Sequence, residues 1–249
     1  FNIPTRSVEE FRTDMRNIYM STFSPGGLSY GTTGRDCNQI TFWRHGTNEF
    51  MYSIKGESGF CETQPHFSPD GQLLATVFDD SIILWNANNG SQITVLQEEL
   101  GLSTYTGGDL VSAFSSDSKY FAAGKTKTGE IKIWDTSTYS LISTIHWHEG
   151  LQSLDFSPDN TMLVSGSYSF TDFDVIRLWD VTSGNLVNNI QKNNEKIHSV
   201  SFSLDGQLIF SSSDLGAVRA WDVPWGKLVK TIANEGDSVY LTSISPDGK

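Results

Sequence analysis

Ile197-His198-Ser199-Val200-Ser201-Phe202 runs into Ser203-Leu204-Asp205-Gly206 and then into Leu208-Ile209-Phe210. The first six residues alternate apolar and polar, as a half-buried strand does. The next four spell a turn: Ser and Asp bond nearby backbone, and Gly tolerates positive φ. Leu208-Ile209-Phe210 reads as a second strand, and Asp214-Leu215-Gly216 turns the chain again. Val218-Arg219-Ala220-Trp221 alternates once more. Asp222-Val223-Pro224-Trp225-Gly226 makes a third turn, before a fourth strand at Leu228-Val229-Lys230-Thr231-Ile232. Four short, evenly punctuated strands indicate an antiparallel all-β unit.

The unit recurs along the chain. Its turn appears as Phe23-Ser24-Pro25-Gly26, Phe67-Ser68-Pro69-Asp70, Phe114-Ser115-Ser116-Asp117, Phe156-Ser157-Pro158-Asp159, Phe202-Ser203-Leu204-Asp205 and Ile244-Ser245-Pro246-Asp247. The leading apolar residues are 44, 47, 42, 46 and 42 positions apart. Trp43, Trp85, Trp134, Trp179 and Trp221 follow the first five at 20, 18, 20, 23 and 19 residues. Five in-phase copies of a two-part pattern mark a repeat architecture.

These residues resemble the WD (WD40) repeat family, whose period of about 40–45 residues the spacing matches. The resemblance extends from about Asn17 to the end. The Trp-Asp pair stands at Trp134-Asp135, Trp179-Asp180 and Trp221-Asp222, and becomes Trp43-Arg44 and Trp85-Asn86 elsewhere. The family's Gly-His pair is missing; His148, preceded by Trp147, is the nearest approach. Its second-turn Asp fits Asp36, Asp79 or Asp80, and Asp172 or Asp174, whereas Thr128 and Leu215 replace it in two units. The resemblance implies an all-β WD-repeat β-propeller. It has five complete four-stranded blades at about 17–55, 62–97, 109–145, 150–190 and 196–233, and a sixth beginning over 238–249. Residues 1–16 are a lead-in or linker, with a weak helical period over Val8–Arg16. Rings of this family usually close with seven blades. The chain opens at Phe1 and stops inside the repeated pattern, so it is expected to be part of such a ring, and a missing targeting segment carries no information. The resemblance makes the five tryptophans core and hydrogen-bonding residues of their blades.

Composition excludes several functions. The formal net charge is −12, from 17 Lys+Arg and 29 Asp+Glu. Phosphate recognition needs a basic surface, so nucleic acid is not expected as a partner, nor is a polybasic grip on lipid. Cys37 and Cys61 are too few for a disulfide framework, which points to free thiols and an intracellular, cytoplasmic setting. No apolar stretch approaches the roughly 20 residues of a membrane span.

Candidate chemical motifs are weak. Gly27-Leu28-Ser29-Tyr30-Gly31 matches a nucleophile elbow, which works only on a sharp strand-to-helix turn. Gly124-Lys125-Thr126-Lys127-Thr128-Gly129-Glu130 lacks the spacing of a phosphate loop. His146-Trp147-His148 offers two imidazoles where a catalytic zinc wants three protein ligands, and Asp172-Phe173-Asp174 is too sparse for calcium. Asn89-Gly90-Ser91 fits a glycosylation acceptor, but Asn-Gly equally suits a turn. No cofactor, metal or small-molecule substrate is expected.

The expected function is therefore a non-catalytic scaffold that binds protein or peptide partners through loop-bearing faces. The alternative is a regulatory or sensor propeller of a larger multidomain enzyme or NTPase whose catalytic part lies outside this chain. Catalysis by Ser29 ranks last. The resemblance places binding on the face carrying inter-blade connections and the turns between second and third strands. There Trp147, His148, Tyr168, Phe170, Phe173, Lys125 and Lys127 form the candidate surface, with aromatics that a solvated turn would not normally choose. Trp225 lies in a turn at the opposite end.

Overall fold

The computed structural model describes residues 18–34, 39–56, 65–78, 81–97, 110–126, 130–146, 150–167, 174–193, 196–234 and 238–240. They form five four-stranded antiparallel sheets, each a simple meander in chain order. Blade 1 comprises β1 (Ile18–Phe23), β2 (Ser29–Gly34), β3 (Gln39–Arg44) and β4 (Phe50–Lys55). Blade 2 comprises β5 (His66–Phe67), β6 (Leu73–Phe78), β7 (Ser81–Asn86) and β8 (Gln92–Gln97). Blade 3 follows with β9 (Leu110–Phe114), β10 (Tyr120–Lys125), β11 (Glu130–Asp135) and β12 (Leu141–His146). Blade 4 holds β13 (Leu151–Phe156), β14 (Met162–Ser167), β15 (Asp174–Asp180) and β16 (Leu186–Asn193). Blade 5 ends the set with β17 (Ile197–Phe202), β18 (Leu208–Ser213), β19 (Ala217–Asp222) and β20 (Leu228–Asn234). The architecture is that of a WD-repeat propeller. The possible helix over Val8–Arg16 lies outside the described residues, as do Cys37 and Cys61.

The recurring Ser-x-Asp turn explains why each first hairpin forms. Ser157 Oγ accepts the Met162 N–H at 3.0 Å and donates to Asp159 Oδ1 at 2.6 Å. Asp159 then accepts the Thr161 N–H at 3.1 Å. Ser68–Asp70, Ser115–Asp117 and Ser203–Asp205 repeat this closure. In blade 1 Gly26 replaces the Asp, and Ser24 Oγ still accepts the Ser29 N–H at 2.9 Å. These side chains satisfy turn backbone that would otherwise face water alone. The third turn works similarly: Asp135 accepts both the Ser137 hydroxyl and the Thr138 N–H. The Ser137 hydroxyl first, then the Thr138 N–H, pull the Asp135 carboxyl down to about 2.

The blades pack face to face in chain order. Ile40, Phe42 and Ile54 of blade 1 meet Leu74, Trp85 and Ala87 of blade 2. Ala75, Val77 and Leu84 meet Leu110, Phe121 and Trp134. Ile131, Ile133 and Ile145 meet Leu151, Phe156 and Trp179, and Val164, Ile176 and Leu178 meet Ile197, Phe202 and Trp221. Trp85, Trp134, Trp179 and Trp221 thus each fill the joint with the preceding blade. A bulge lies opposite every one, because the fourth strand skips one residue there, Val187 in blade 4 and Val229 in blade 5. Bulges sharpen local twist, which lets these short sheets fan around one another.

Candidate functional site

The two ends of each sheet differ. Turns from first to second strand span five residues in all five blades, at 24–28, 68–72, 115–119, 157–161 and 203–207. Turns from third to fourth strand also span five, at 45–49, 87–91, 136–140, 181–185 and 223–227. Both sets lie at one end, since the strands are antiparallel. At the other end the turns from second to third strand hold 4, 2, 4, 6 and 3 residues. The links between blades hold 10, 12, 4 and 3. One end is a constant framework; the other varies from blade to blade.

Of the surface expected from sequence, one residue is described. Lys125 ends β10 at the variable end and is half-buried. Trp147, His148, Tyr168, Phe170, Phe173 and Lys127 lie outside the described residues. Trp225 sits at the constant end, 72% exposed, with its backbone N–H donated to Asp222 Oδ1.

The five repeat tryptophans occupy equivalent places with one difference in chemistry. The Trp43 indole donates to Thr32 Oγ1 at 3.0 Å, Trp85 to Thr76 Oγ1 at 2.7 Å, Trp179 to Ser165 Oγ at 2.9 Å and Trp221 to Ser211 Oγ at 2.8 Å. In blade 3 the equivalent position is Ala123, which has no hydroxyl to accept the Trp134 N–H. Trp134 is nevertheless 4% exposed. A cleft of about 40 Å³ opens beside it, lined by Ala123, Gly124, Lys125, Glu130 and Lys132, with Ile82 of blade 2 and Leu110 closing the apolar side. Among the described residues, the sealed side-chain atoms without a partner are Thr33 Oγ1, Ser201 Oγ and Ser212 Oγ, so the Trp134 nitrogen keeps an opening. Glu130 at the mouth lies 3.8 Å from Lys132 Nζ and 4.0 Å from His146 Nδ1.

The repeat pattern presents the five tryptophans alike, and the exception lies in the residue that each of them faces. Counted back from Trp, the partner lies 11, 9, 11, 14 or 10 residues away, because the variable turn intervenes. Counted forward from the leading Phe it is always nine residues: Thr32, Thr76, Ala123, Ser165, Ser211. The constant five-residue turn keeps that count fixed.

The inner strands carry two partly buried titratable groups just before the leading Phe. Burial lowers the His66 pKa, and Nδ1 of its ring lies 3.5 Å from Ser112 Oγ of blade 3. Burial raises Asp155 to about 6, against hydrogen bonds from the Phe202 and Phe156 N–H groups. Both groups bridge adjacent blades.

The other motifs resolve into structure. Ser29 starts strand β2, so the elbow sequence leads into a strand and not the helix that chemistry requires. Asn89 Oδ1 accepts the Ser91 N–H in the third turn of blade 2, and Gly90 takes φ +73° against the Tyr52 ring. Of the second-turn positions, Leu215 is exposed, while Asp36, Asp79, Asp80, Thr128 and Asp172 lie outside the described residues. Among the described residues no cluster of three or more His, Cys, Asp or Glu side chains is placed to hold a metal, and no helix is long and apolar enough to cross a membrane.

Comparison with known proteins agrees with this geometry. A guanine nucleotide-binding protein subunit beta from Arabidopsis thaliana is 28% identical over 210 residues, covering 78% of this chain and 54% of that protein. The corresponding subunit from Zea mays is 24% identical over 212 residues, with the same coverage. Periodic tryptophan protein 2 from Arabidopsis thaliana is 28% identical over 199 residues, 77% of this chain and 20% of that protein. The chain spans about half the length of the beta subunits it matches. The WD domain, G-beta repeat family matches residues 48–86, 102–135, 139–172 and 184–222, more than half of the chain. Three of these matches, the first, second and fourth, end at the Trp-bearing third strand of a blade. With five meander blades, the repeated turn and Trp positions, and these matches, the chain belongs to the WD domain, G-beta repeat (WD40) family.

Proposed function

We propose that this chain is a non-catalytic protein-interaction scaffold, and that it binds protein or peptide partners through the variable end of its blades. The observation that carries this is the contrast between ends: ten turns of constant length at one, and turns and links of 2 to 12 residues at the other. Rigid sheets hold the variable segments in place, which is how loops acquire binding roles on a fixed framework. Guanine nucleotide-binding protein beta subunits are among the proteins it is similar to, and its own chain carries the G-beta repeat. Partner contacts fall on Trp147, His148, Tyr168, Phe170 and Phe173, with Lys125 and Lys127 at the border. The aromatics supply desolvated area and the lysines orientation. The five blades belong to a seven-bladed ring in this reading. The −12 charge favours protein over nucleic-acid partners, and the two cysteines suit a reducing, intracellular compartment.

The test is affinity purification with the natural protein, followed by titration of the recovered partner against folded Trp147→Ala and Phe170→Ala variants. Loss of an interface aromatic is expected to weaken binding by 2 kcal/mol or more, roughly thirtyfold. Unchanged affinity in both variants removes this surface.

A further inference from the structure

We propose that the cleft between blades 2 and 3 binds a carboxylate side chain, Asp or Glu, of a partner protein. In this proposal the Trp134 indole N–H is the donor at its floor and Lys125 and Lys132 flank its mouth. The inference rests on the scaffold reading and adds the chemistry of what is bound.

Three observations converge. First, four of five repeat tryptophans donate to a Ser or Thr hydroxyl within the blade, and the fifth has Ala123 in its place. The residue is 4% exposed and its nitrogen opens only on the cleft, so an acceptor for it comes through that cleft. Second, the space beside Ala123 is open. It holds about 40 Å³, room for one or a few water-sized groups but not for a ring. Third, what surrounds the opening is donor-rich. The Lys125 and Lys132 side chains line it, and the Glu130 carboxylate, the one negative group among them, already faces Lys132 and His146. A neutral acceptor would satisfy the indole but gain little from two ammonium groups. A carboxylate satisfies both, through one oxygen on the indole and charge-assisted bonds at the mouth. The cleft opens at the variable end, beside the turn from β10 to β11, where partner contacts are proposed.

The experiment is an NMR titration of the full chain with ¹⁵N-labelled tryptophan. The Trp134 Nε1–H resonance is identified by its displacement in Ala123→Ser, which supplies the hydroxyl that the other blades have. The probes are a blocked peptide of glutamates, the same peptide with glutamines, and inorganic phosphate. The expected result is a saturable shift of the Trp134 resonance with the glutamate peptide and none with the glutamine peptide. Lys125→Gln and Lys132→Gln, both changes at the rim, are each expected to weaken the titration about three- to fivefold, as for a partly exposed charge pair. In Ala123→Ser the resonance no longer responds. A Trp134 resonance indifferent to the glutamate peptide means that the cleft holds water only and overturns the proposal. A shift with phosphate but not with glutamate overturns the carboxylate assignment. A partner whose affinity falls in Trp147→Ala or Phe170→Ala, alongside either result, leaves the scaffold reading intact.

Discussion

Asp155 carries a carboxylate into the joint between blades 4 and 5, where Oδ2 accepts the Phe202 N–H at 2.7 Å. Burial outweighs this bond and the one from Phe156, and raises the carboxyl from its ordinary value near 3.8 to about 6. A raised acid binds its proton more tightly in the folded state. Its contribution to stability is therefore complete below about pH 4 and is lost as pH rises through 6. A shift of that size amounts to about 2–3 kcal/mol. Asp155→Asn keeps an oxygen acceptor for the Phe202 N–H and removes the charge. It is expected to be more stable than the parent by about that amount at pH 8. The two should converge near pH 4. Urea melts at a series of pH values measure this, and equal stabilities at pH 8 would contradict the buried, ionised Asp155. Asp159, pulled down by the Ser157 hydroxyl and then the Thr161 N–H, has the opposite sign and loses its contribution as pH falls.

Adjacent blades also meet where the third turn of one rests on the fourth strand of the blade before it. Ser143 Oγ donates to Val181 O at 2.7 Å across the joint between blades 3 and 4, and the Tyr52 hydroxyl donates to Ala87 O between blades 1 and 2. The glycine closing this turn is squeezed in blade 5: Gly226 has φ +63°, and an added Cβ would stand 3.0 Å from the Ile190 Cα. Gly46, in the matching turn of blade 1, has φ +87° but open space around it. Gly46→Ala pays only for the left-handed backbone, about 1–2 kcal/mol. Gly226→Ala also pushes two backbones apart, so its cost is expected to exceed that of Gly46→Ala by at least about 1 kcal/mol. Chemical denaturation of the two variants decides this, and equal costs would remove the packing contact as a constraint.

On the scale of the whole molecule, the first and last described blades carry exposed apolar side chains on their outward faces. Phe156 and Phe202 are each 5% exposed, whereas the equivalent Phe23 of blade 1 is 56% exposed. At the other face Ile54, Ile145 and Ile190 are buried, and the equivalent Ile232 of blade 5 is 52% exposed. The residues after blade 5 begin along it, with the Val239 N–H donated to Ser213 O and Tyr240 tilted against the His198 ring. Open apolar faces and strand edges associate. The −12 charge opposes this, but only over about 8 Å at physiological salt. The 249-residue polypeptide is expected to sediment as a concentration-dependent mixture at that salt. Phe23→Lys with Ile232→Lys should shift it toward monomer. A parent chain that is monomeric at every concentration would show that these faces are not adhesive.

The five-sheet architecture was legible in the sequence because its determinants are local. A Ser Oγ reaching the backbone five residues on, an Asp two residues after the Ser, and a Trp one hairpin later act within a single unit, so their spacing reports the strands directly. The expected binding surface was legible only as composition, through aromatics crowded near the longest turn. Three properties were settled by tertiary structure. Trp134 has Ala123 at its acceptor position, two residues along β10 from its register partner Phe121, and folding the hairpin is what brings the two within reach. Asp155 is shielded because blade 5 packs against it, with the Phe202 N–H, 47 residues later, bonded to its carboxylate. Phe23 and Ile232 are exposed while their counterparts are not, because exposure depends on which blade stands alongside. Each arises where neighbouring strands or blades meet, and burial and pairing there depend on residues that local sequence does not bring into view.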